Sequence, residues 1–176
     1  ITVSSSTTNV SCNGGNDGTA ILTLNGGSGI LTENWGGNNP LNLSAGTYVY
    51  TVTDTNLCVD SGSVTITEPT ILTSSITGTN LLCFNDNTGD INLTVNGGTS
   101  PYTFAWTGPG GPYNTEDLSG LTAGSYVVLV TDTKGCTTTE TITLTEPTTA
   151  LSSIISPNNL TSCLITNGSV DLTVIG

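Results

Sequence analysis

Residues 47–58, TYVYTVTDTNLC, and residues 125–136, SYVVLVTDTKGC, are two versions of one phrase. In both versions apolar and polar side chains alternate along the first half, which is the period of a half-buried β-strand. A D-T turn and a cysteine then follow at the same spacing. The phrase is therefore typical of an antiparallel β-sheet protein, and its recurrence predicts a fold built more than once.

Two different offsets relate the copies. The later parts of the copies share one offset, by which VTDT at 52–55 returns at 130–133. The earlier parts share a shorter offset, by which Cys12 corresponds to Cys83. The second copy therefore carries seven additional residues, and they fall between Trp106 and its AGSY phrase.

A Glu-Pro pair closes each copy, because proline removes a ladder donor and strands usually end there. A further copy then begins with phrases that match the starts of the first two copies, and only its first part is present in the sequence. We predict three units: repeat 1 (1–69), repeat 2 (70–147) and the N-terminal part of a third repeat (148–176). Because few residues separate the units, we expect a stiff, string-like array.

Within each unit the apolar residues follow a period of two, and no segment has a helical period. Six or seven short strands in roughly 70 to 80 residues predict an all-β fold, a small sandwich of two antiparallel sheets. We expect Trp35 and Trp106 to anchor the two cores, as a central-strand tryptophan does in related sandwiches.

The charge balance excludes two classes of partner. One Lys or Arg stands against 13 Asp or Glu, which gives a net charge of −12. Nucleic acids and anionic membranes are both bound through clusters of basic groups. Lys134 alone cannot supply such a cluster, so we expect neither nucleic-acid binding nor direct membrane contact.

Cysteine content points to an oxidising compartment. The chain has five cysteines: Cys12, Cys58, Cys83, Cys136 and Cys163. It opens without a signal peptide and contains no run of about 20 apolar residues. We therefore expect a monomeric fragment of a longer exported protein.

Taken together, these motifs resemble the SprB repeat, which occurs in tandem in large surface adhesins of gliding Bacteroidetes. The resemblance rests on C-x5-G (Cys12 to Gly18), GGTSPYTFAW (97–106), L-x-AG-[ST]-Y-V, VTDTKGC (130–136) and the closing TEP. It implies tandem immunoglobulin-like β-sandwiches, export across the outer membrane and display at the cell surface, but no known ligand for each repeat. PKD-like domains share the Y-x-V-x-V-x-D ending.

Repeat 1 departs from this pattern in two places. It has ILTENW where repeat 2 has PYTFAW, so that Glu33 occupies the position of Phe104, and NLC replaces KGC. The packing around Glu33 is therefore the local feature that the resemblance does not predict.

Catalytic signatures are missing from the sequence. With no histidine in the chain, Ser-His-Asp and Cys-His catalysis are excluded. The cysteines are too far apart for CxxC metal ligation, and no carboxylate spacing favours a glycosidase pair. We predict that the chain is not an enzyme.

Asp54 and Asp132 admit two interpretations. An aspartate that begins a hairpin can accept downstream backbone N–H groups in an Asx turn. The alternative is a Ca²⁺ ligand. Because no dense run of acids accompanies either residue, we favour the structural role.

The same alternatives apply to the two oxygen-rich loops. Asn16-Asp17-Gly18 and Asn85-Asp86-Asn87 could bind Ca²⁺ with help from Glu68 or Glu146, or could form ordinary turns. The third unit has Thr166-Asn167-Gly168 there, without an acid, which argues against a repeated metal site. We expect no cofactor, with Ca²⁺ as the alternative.

One loop is a candidate ligand site. TGPGGPYNTED (107–117) contains the additional residues of repeat 2, and loops on rigid sandwiches often carry binding function. Tyr113, Glu116 and Asp117 are the ligand candidates in it, against the alternative of an ordinary solvent loop.

Two pairing schemes are open for the cysteines. Pairing within units, Cys12–Cys58 and Cys83–Cys136, is the default, and it leaves Cys163 without a partner. However, a six-residue strand spans about 20 Å, whereas bridged Cα atoms lie about 4.4–6.8 Å apart. If the first cysteine and the last hairpin lie at opposite ends of a sandwich, the bridges instead link adjacent units.

The sequence thus predicts a section of a secreted surface adhesin that acts as a stiff stalk and adhesive module in gliding motility. Its expected partners are extracellular surfaces or polysaccharides and neighbouring repeats of the same chain. Two alternatives remain: passive spacer repeats of an exported enzyme, and a Ca²⁺-rigidified carbohydrate-binding module.

Overall fold

A computed structural model of the chain describes residues 1–158 and 169–175. Within those ranges the protein has thirteen β-strands and no helix, which confirms the predicted all-β class of tandem immunoglobulin-like sandwiches. The strands are β1 (Thr2–Thr8), β2 (Thr19–Asn25), β3 (Thr32–Asn34), β4 (Gly46–Thr53), β5 (Val59–Ile66), β6 (Thr73–Thr79), β7 (Gly89–Asn96), β8 (Thr103–Thr107), β9 (Leu118–Leu121), β10 (Gly124–Thr131), β11 (Thr137–Leu144), β12 (Ser152–Asn158) and β13 (Ser169–Ile175).

Repeat 1 is built from two antiparallel sheets. Strand β1 pairs with β2, and β3, β4 and β5 form the second sheet in that order. Strands β2, β4 and β5 and the connecting segments supply the buried cluster: Val10, Ala20, Trp35, Leu43, Tyr50, Val52, Val64 and Ile66. The Trp35 ring lies 5.3 Å from the Tyr50 ring, centroid to centroid, so its predicted place in the core is confirmed.

Repeat 2 has the same arrangement with one more strand. Its sheets are β6-β7-β9 and β8-β10-β11. Its buried apolar side chains are Leu81, Ile91, Leu93, Trp106, Leu118, Leu121, Tyr126, Val128, Val130 and Leu144. Trp106 is 1% exposed, as predicted for a core anchor.

Repeat 1 has five strands rather than the six or seven predicted. Where β7 pairs with β9 through Gly89 and Leu121, repeat 1 has an isolated bridge between Gly18 and Leu43. The stretch after Trp35, GGNNPLN, has no apolar alternation and includes a proline, so it does not extend into a strand.

Contacts divide the chain into two compact units. The first comprises Ile1–Ser74, Val95–Thr103 and Leu129–Thr139; the second comprises Ser75–Thr94, Phe104–Val128 and Glu140–Gly176. The first unit therefore contains all of repeat 1 together with three segments of repeat 2: its first five residues, its Gly-Gly loop and its D-T hairpin. The repeat boundaries remain predictions from the sequence.

The third repeat contributes the hairpin β12–β13, whose register pairs Ser152 with Ile175. One hydrogen bond recurs at the start of all three repeats: the hydroxyl groups of Thr2, Thr73 and Ser152 donate to the carbonyl oxygens of Asn25, Asn96 and Ile175. Cys163 and the stretch 166–168 lie outside the described residues.

Candidate functional site

The D-T hairpin of repeat 2 is organised by Asp132, which is 5% exposed. Its Oδ1 atom accepts hydrogen bonds from the backbone N–H groups of Lys134, at 2.8 Å, and Cys136, at 2.9 Å. Its Oδ2 atom accepts from the N–H of Thr99 at 2.8 Å, in the loop after β7. One carboxylate therefore closes the hairpin and ties it to a second loop.

Repeat 1 has the same arrangement. Asp54 Oδ1 accepts from the N–H groups of Asn56 and Cys58, each at 2.9 Å, and Oδ2 accepts from that of Ser28 at 3.0 Å. We call these two arrangements the aspartate clamps. They confirm the Asx-turn interpretation of both aspartates and add the tie to the Gly-Gly loop, which the sequence analysis missed.

The clamps keep both carboxylates charged. The backbone N–H groups of Ser28 and Cys58 lower the pKa of Asp54. Burial alone raises the pKa of Asp132, but the N–H groups of Thr99 and Cys136 outweigh it, and the net shift is downward. An ionised carboxylate is the stronger acceptor, so the charge itself stabilises the two loops.

The Gly-Gly pair before each clamped loop has a steric reason. Gly98 has φ +61°, and a Cβ atom there would lie 2.8 Å from Asp132 Oδ2. A side chain would thus collide with the clamp and would also disfavour the backbone conformation. In repeat 1, Gly27 has φ +81° and a Cβ atom there would lie 2.9 Å from Leu31 Cδ2, so the recurring NGG marks the backbone conformation, and the collision with the clamp belongs to repeat 2.

The loop that carries Cys12 is held by two carboxylates. Asp17 Oδ1 accepts from the N–H of Ser11 at 2.9 Å, and Glu68 Oε2 accepts from the N–H of Gly14 at 2.6 Å. Hydrogen bonds from the Ser11 side chain and backbone lower the pKa of Asp17. The Cys12 loop is therefore tied to the strand end at which the chain leaves repeat 1.

These contacts bear on the calcium alternative. In repeat 2, Glu146 Oε2 accepts from the N–H of Asn85 at 2.6 Å, and Asp86 Oδ1 accepts from that of Asn87 at 2.7 Å. Among residues 1–158 and 169–175, no three His, Cys, Asp or Glu side chains gather as a metal-binding group. The recurring glutamates of the two Glu-Pro pairs are loop-holding residues.

Cys12 and Cys136 form a disulfide, with Cα atoms 5.7 Å apart at a sequence separation of 124. The default pairing within units was wrong, and the pairing between adjacent repeats is correct for this bond. The reason is the position of the Cys12 loop, whose Asn13 side chain donates to the Pro69 carbonyl at 3.1 Å. Since Pro69 leads directly into the next repeat, the nearest D-T hairpin is that of repeat 2.

The bridge lies inside the first compact unit, beside Asn13, Ile71 and Leu72. The Cys136 sulfur lies 3.4 Å from the Ser11 carbonyl oxygen. A polar cavity nearby in the same unit is lined by Thr7, Thr8, Asn9, Val10, Ser11, Thr67, Glu68, Pro69, Thr99 and Lys134. Residues of both predicted repeats therefore line this cavity.

The other two described cysteines, Cys58 and Cys83, are free and exposed. The four predicted disulfide candidates therefore divide into one bonded pair and two free thiols.

The ligand candidates of repeat 2 are separated by their contacts. The hydroxyl of Tyr113 donates to the Pro109 carbonyl at 2.7 Å, and burial raises its pKa. Glu116 and Asp117 are both exposed, and Asp117 Oδ1 accepts from the N–H of Leu93 at 2.9 Å. Tyr113 and Asp117 thus hold the loop in place, and a ligand role for the three residues remains a prediction.

The departure of repeat 1 at Glu33 has a local explanation. Trp106 donates its indole N–H to the Thr115 carbonyl at 2.9 Å, a partner from the longer loop of repeat 2. Repeat 1 has a shorter loop, and there Trp35 donates to Glu33 Oε2 at 3.0 Å. Glu33 therefore takes the role of the Thr115 carbonyl as the acceptor for the indole N–H, and it does not take over the packing role of Phe104.

Comparison with known proteins supports the resemblance stated from the motifs. The family model of the SprB repeat matches residues 4–32 and 75–111. SprB repeats are structural repeats rather than an enzyme family, and they characterise adhesin-like regions of cell-surface proteins. No helix in the described part of the chain is long and apolar enough to span a membrane.

A phage protein is also similar to part of the chain. The decoration protein of Escherichia phage T5 is 46% identical over 54 residues, which cover 25% of this chain and 32% of that protein. The chain thus spans about a third of the length of this relative.

Proposed function

Because this chain carries SprB repeats, we propose that it is a section of a secreted adhesin and acts as a stiff stalk in gliding motility and surface attachment. The disulfide between Cys12 and Cys136 carries the proposal, because it joins two repeats covalently in addition to the peptide linker. A stalk that transmits force benefits from a junction that cannot swivel or be pulled apart.

The partner we propose is an extracellular surface or polysaccharide, contacted through exposed loops. Loop 107–117 is the foremost candidate, since Tyr113 and Asp117 anchor it and Glu116 stays accessible. A rigid loop loses little conformational entropy on binding, which favours affinity. We propose that this function needs no cofactor, with Ca²⁺ as the alternative.

Beads coated with the full chain test this proposal. We expect them to adhere to at least one film in a panel of glass and polysaccharide surfaces, and Glu116→Ala to weaken that adhesion by about fivefold or more, which corresponds to about 1 kcal/mol of binding free energy. Asp90→Ala removes an exposed carboxylate outside the loop and serves as the control. Equal adhesion of coated and bare beads on every film would instead favour the passive spacer.

A further inference from the structure

Two free thiols in this chain occupy the positions whose counterparts are bonded. Cys83 corresponds to Cys12, and Cys58 corresponds to Cys136, by the same two offsets that relate the rest of the repeats. Cys12 and Cys136 form the disulfide, whereas Cys58 and Cys83 are exposed. Repeats 1 and 2 thus each have a first cysteine and a last cysteine, and among these four described cysteines one of each kind is free.

Two of the hydrogen bonds that hold the Cys12 loop have counterparts around Cys83, whereas the bond from Asn13 to the Pro69 carbonyl has none because Phe84 stands at that position. The N–H of Leu82 donates to Thr88 Oγ1 at 3.3 Å, where Ser11 donates to Asp17 in repeat 1. The N–H of Asn85 donates to Glu146, where Gly14 donates to Glu68. These bonds tie the Cys83 loop to the strand end of repeat 2, as in repeat 1.

The hairpin around Cys58 likewise matches the hairpin around Cys136. In each, the cysteine N–H donates to Oδ1 of the clamp aspartate at 2.9 Å. Both sulfur-bearing residues are therefore positioned by the same Asx turn, and the free hairpin needs no rearrangement to match the bonded one.

A groove beside Cys83 is the counterpart of one beside Cys12. In repeat 1, Cys12, Asn13, Ile71 and Leu72 line a groove together with the hairpin residues Gly135, Cys136 and Thr137. In repeat 2, the corresponding groove is lined by Leu82, Cys83, Phe84, Pro147, Thr149 and Leu151, with no hairpin in it. Leu82 and Leu151 are 78% and 80% exposed there, so the apolar surface that a hairpin would cover is open to solvent.

We propose that the first cysteine of each repeat bridges to the last cysteine of the following repeat throughout a tandem array. Cys83 accordingly bonds the hairpin cysteine of a following repeat, whose D-T hairpin occupies the groove of Leu82 and Leu151. Cys58 accepts the first cysteine of a preceding repeat. Adjacent bridges then overlap along the chain, since each encloses the first cysteine of the next one. The inference does not depend on adhesion.

Each bridge forms by thiol–disulfide exchange with a disulfide oxidant of the glutathione class. The Cys83 thiolate attacks the oxidant and releases one reduced glutathione, which leaves a mixed disulfide. The hairpin thiolate then attacks the Cys83 sulfur and releases a second. The two protein thiols lose two electrons and two protons, and the oxidant becomes two reduced thiols.

The test extends the full chain after Gly176 with a copy of residues 98–147, because Gly176 follows the third repeat's strand as Gly97 follows β7. After refolding with oxidised glutathione, non-reducing peptide mapping should join Cys83 to the appended copy of Cys136. Maleimide labelling of Cys83 should fall about tenfold or more relative to the unextended chain, because only a free thiolate reacts. Serine in place of the appended cysteine should restore labelling.

A second chain guards against misfolding of the appended segment. It carries a copy of residues 1–69 before Ile1, so that the copied first cysteine should bridge to Cys58. The proposal would be overturned if Cys83 stayed free in the first extended chain and Cys58 stayed free in the second, with the Cys12–Cys136 bond intact as proof of folding. A bond from Cys83 to Cys58, within or between molecules, would overturn it as well.

Discussion

Asp132 shows at the scale of one residue how a short phrase positions a covalent junction. Its carboxylate binds the N–H of Cys136 on one side and that of Thr99 on the other. Because both loops are fixed by one buried charge, the direction in which Cys136 leaves the hairpin is fixed as well. Asp54 does the same for Cys58, which is a free thiol in this chain.

The clamp predicts a pH dependence of stability. The pKa of Asp132 is below its ordinary value in the folded chain because its backbone hydrogen bonds outweigh burial, and in the unfolded chain it is about 3.9. Its stabilisation is therefore complete above the unfolded pKa and is lost as the pH falls toward the folded pKa. We expect Asp132→Asn to lower the free energy of unfolding at pH 7, and this deficit to shrink below about pH 4.

Urea unfolding at pH 7 and at pH 3 measures both quantities. Asp90→Asn removes the same charge from an exposed side chain and controls for the overall charge of the protein. A deficit of equal size at the two pH values would show that the ionised clamp is not the source of the stabilisation.

At the scale of elements, strands β4 and β10 begin with the same tyrosine contact. The hydroxyl of Tyr126 donates to the Thr122 carbonyl at 2.9 Å, and that of Tyr48 donates to the Ser44 carbonyl at 3.0 Å. This bond back to the preceding corner resembles the tyrosine corner of immunoglobulin-like sandwiches. The recurring phrase AG-[ST]-Y was its sequence signal, although the alternation alone indicated only a core residue.

We expect Tyr126→Phe to lower the free energy of unfolding by about 1 kcal/mol, the usual net value of one buried hydrogen bond. Tyr126 is fully buried, and its hydroxyl would no longer donate to the Thr122 carbonyl. The fluorescence of Trp106 in a Trp35→Phe background follows the unfolding of repeat 2. Tyr48→Phe is the matched variant and should cost less because Tyr48 is half-buried; larger destabilisation by Tyr48→Phe would contradict this account.

At the scale of the whole molecule, the disulfide changes how the chain bears load. A pull on the two ends passes through the bridge from Cys12 to Cys136, so the segment between them stays outside the path of tension. The junction therefore holds even if the core of repeat 1 opens. Such shielding suits a stalk exposed to shear.

Single-molecule stretching of the full chain measures this shielding. The sequence separation of 124, at about 3.4 Å per extended residue, corresponds to roughly 400 Å of hidden contour length. We expect this length to appear only after a reductant is added. Cys58→Ser leaves the bridge in place and should behave as the unmodified chain, whereas Cys12→Ser should show the full length at once; equal lengths before and after reduction would refute the shielding.

The sequence by itself determined the local features of this protein. The period of two along residues such as Tyr50 and Val52 sets strands because alternate side chains face the core. Asp54 and Asp132 form Asx turns because the acceptor and its donors are close neighbours along the chain. Matching phrases at fixed offsets revealed the repeats, because each unit uses the same residues for its local packing.

Tertiary structure alone decided which cysteines meet and which loops are tied. Cys12 is much nearer in sequence to Cys58 than to Cys136, yet it bonds the more distant one. The clamp contact to Thr99 and the five-strand form of repeat 1 could not be predicted from the sequence either, because they depend on which loops lie next to each other in space. A disulfide requires Cα atoms within a few ångströms of each other, and no spacing along the chain encodes that distance.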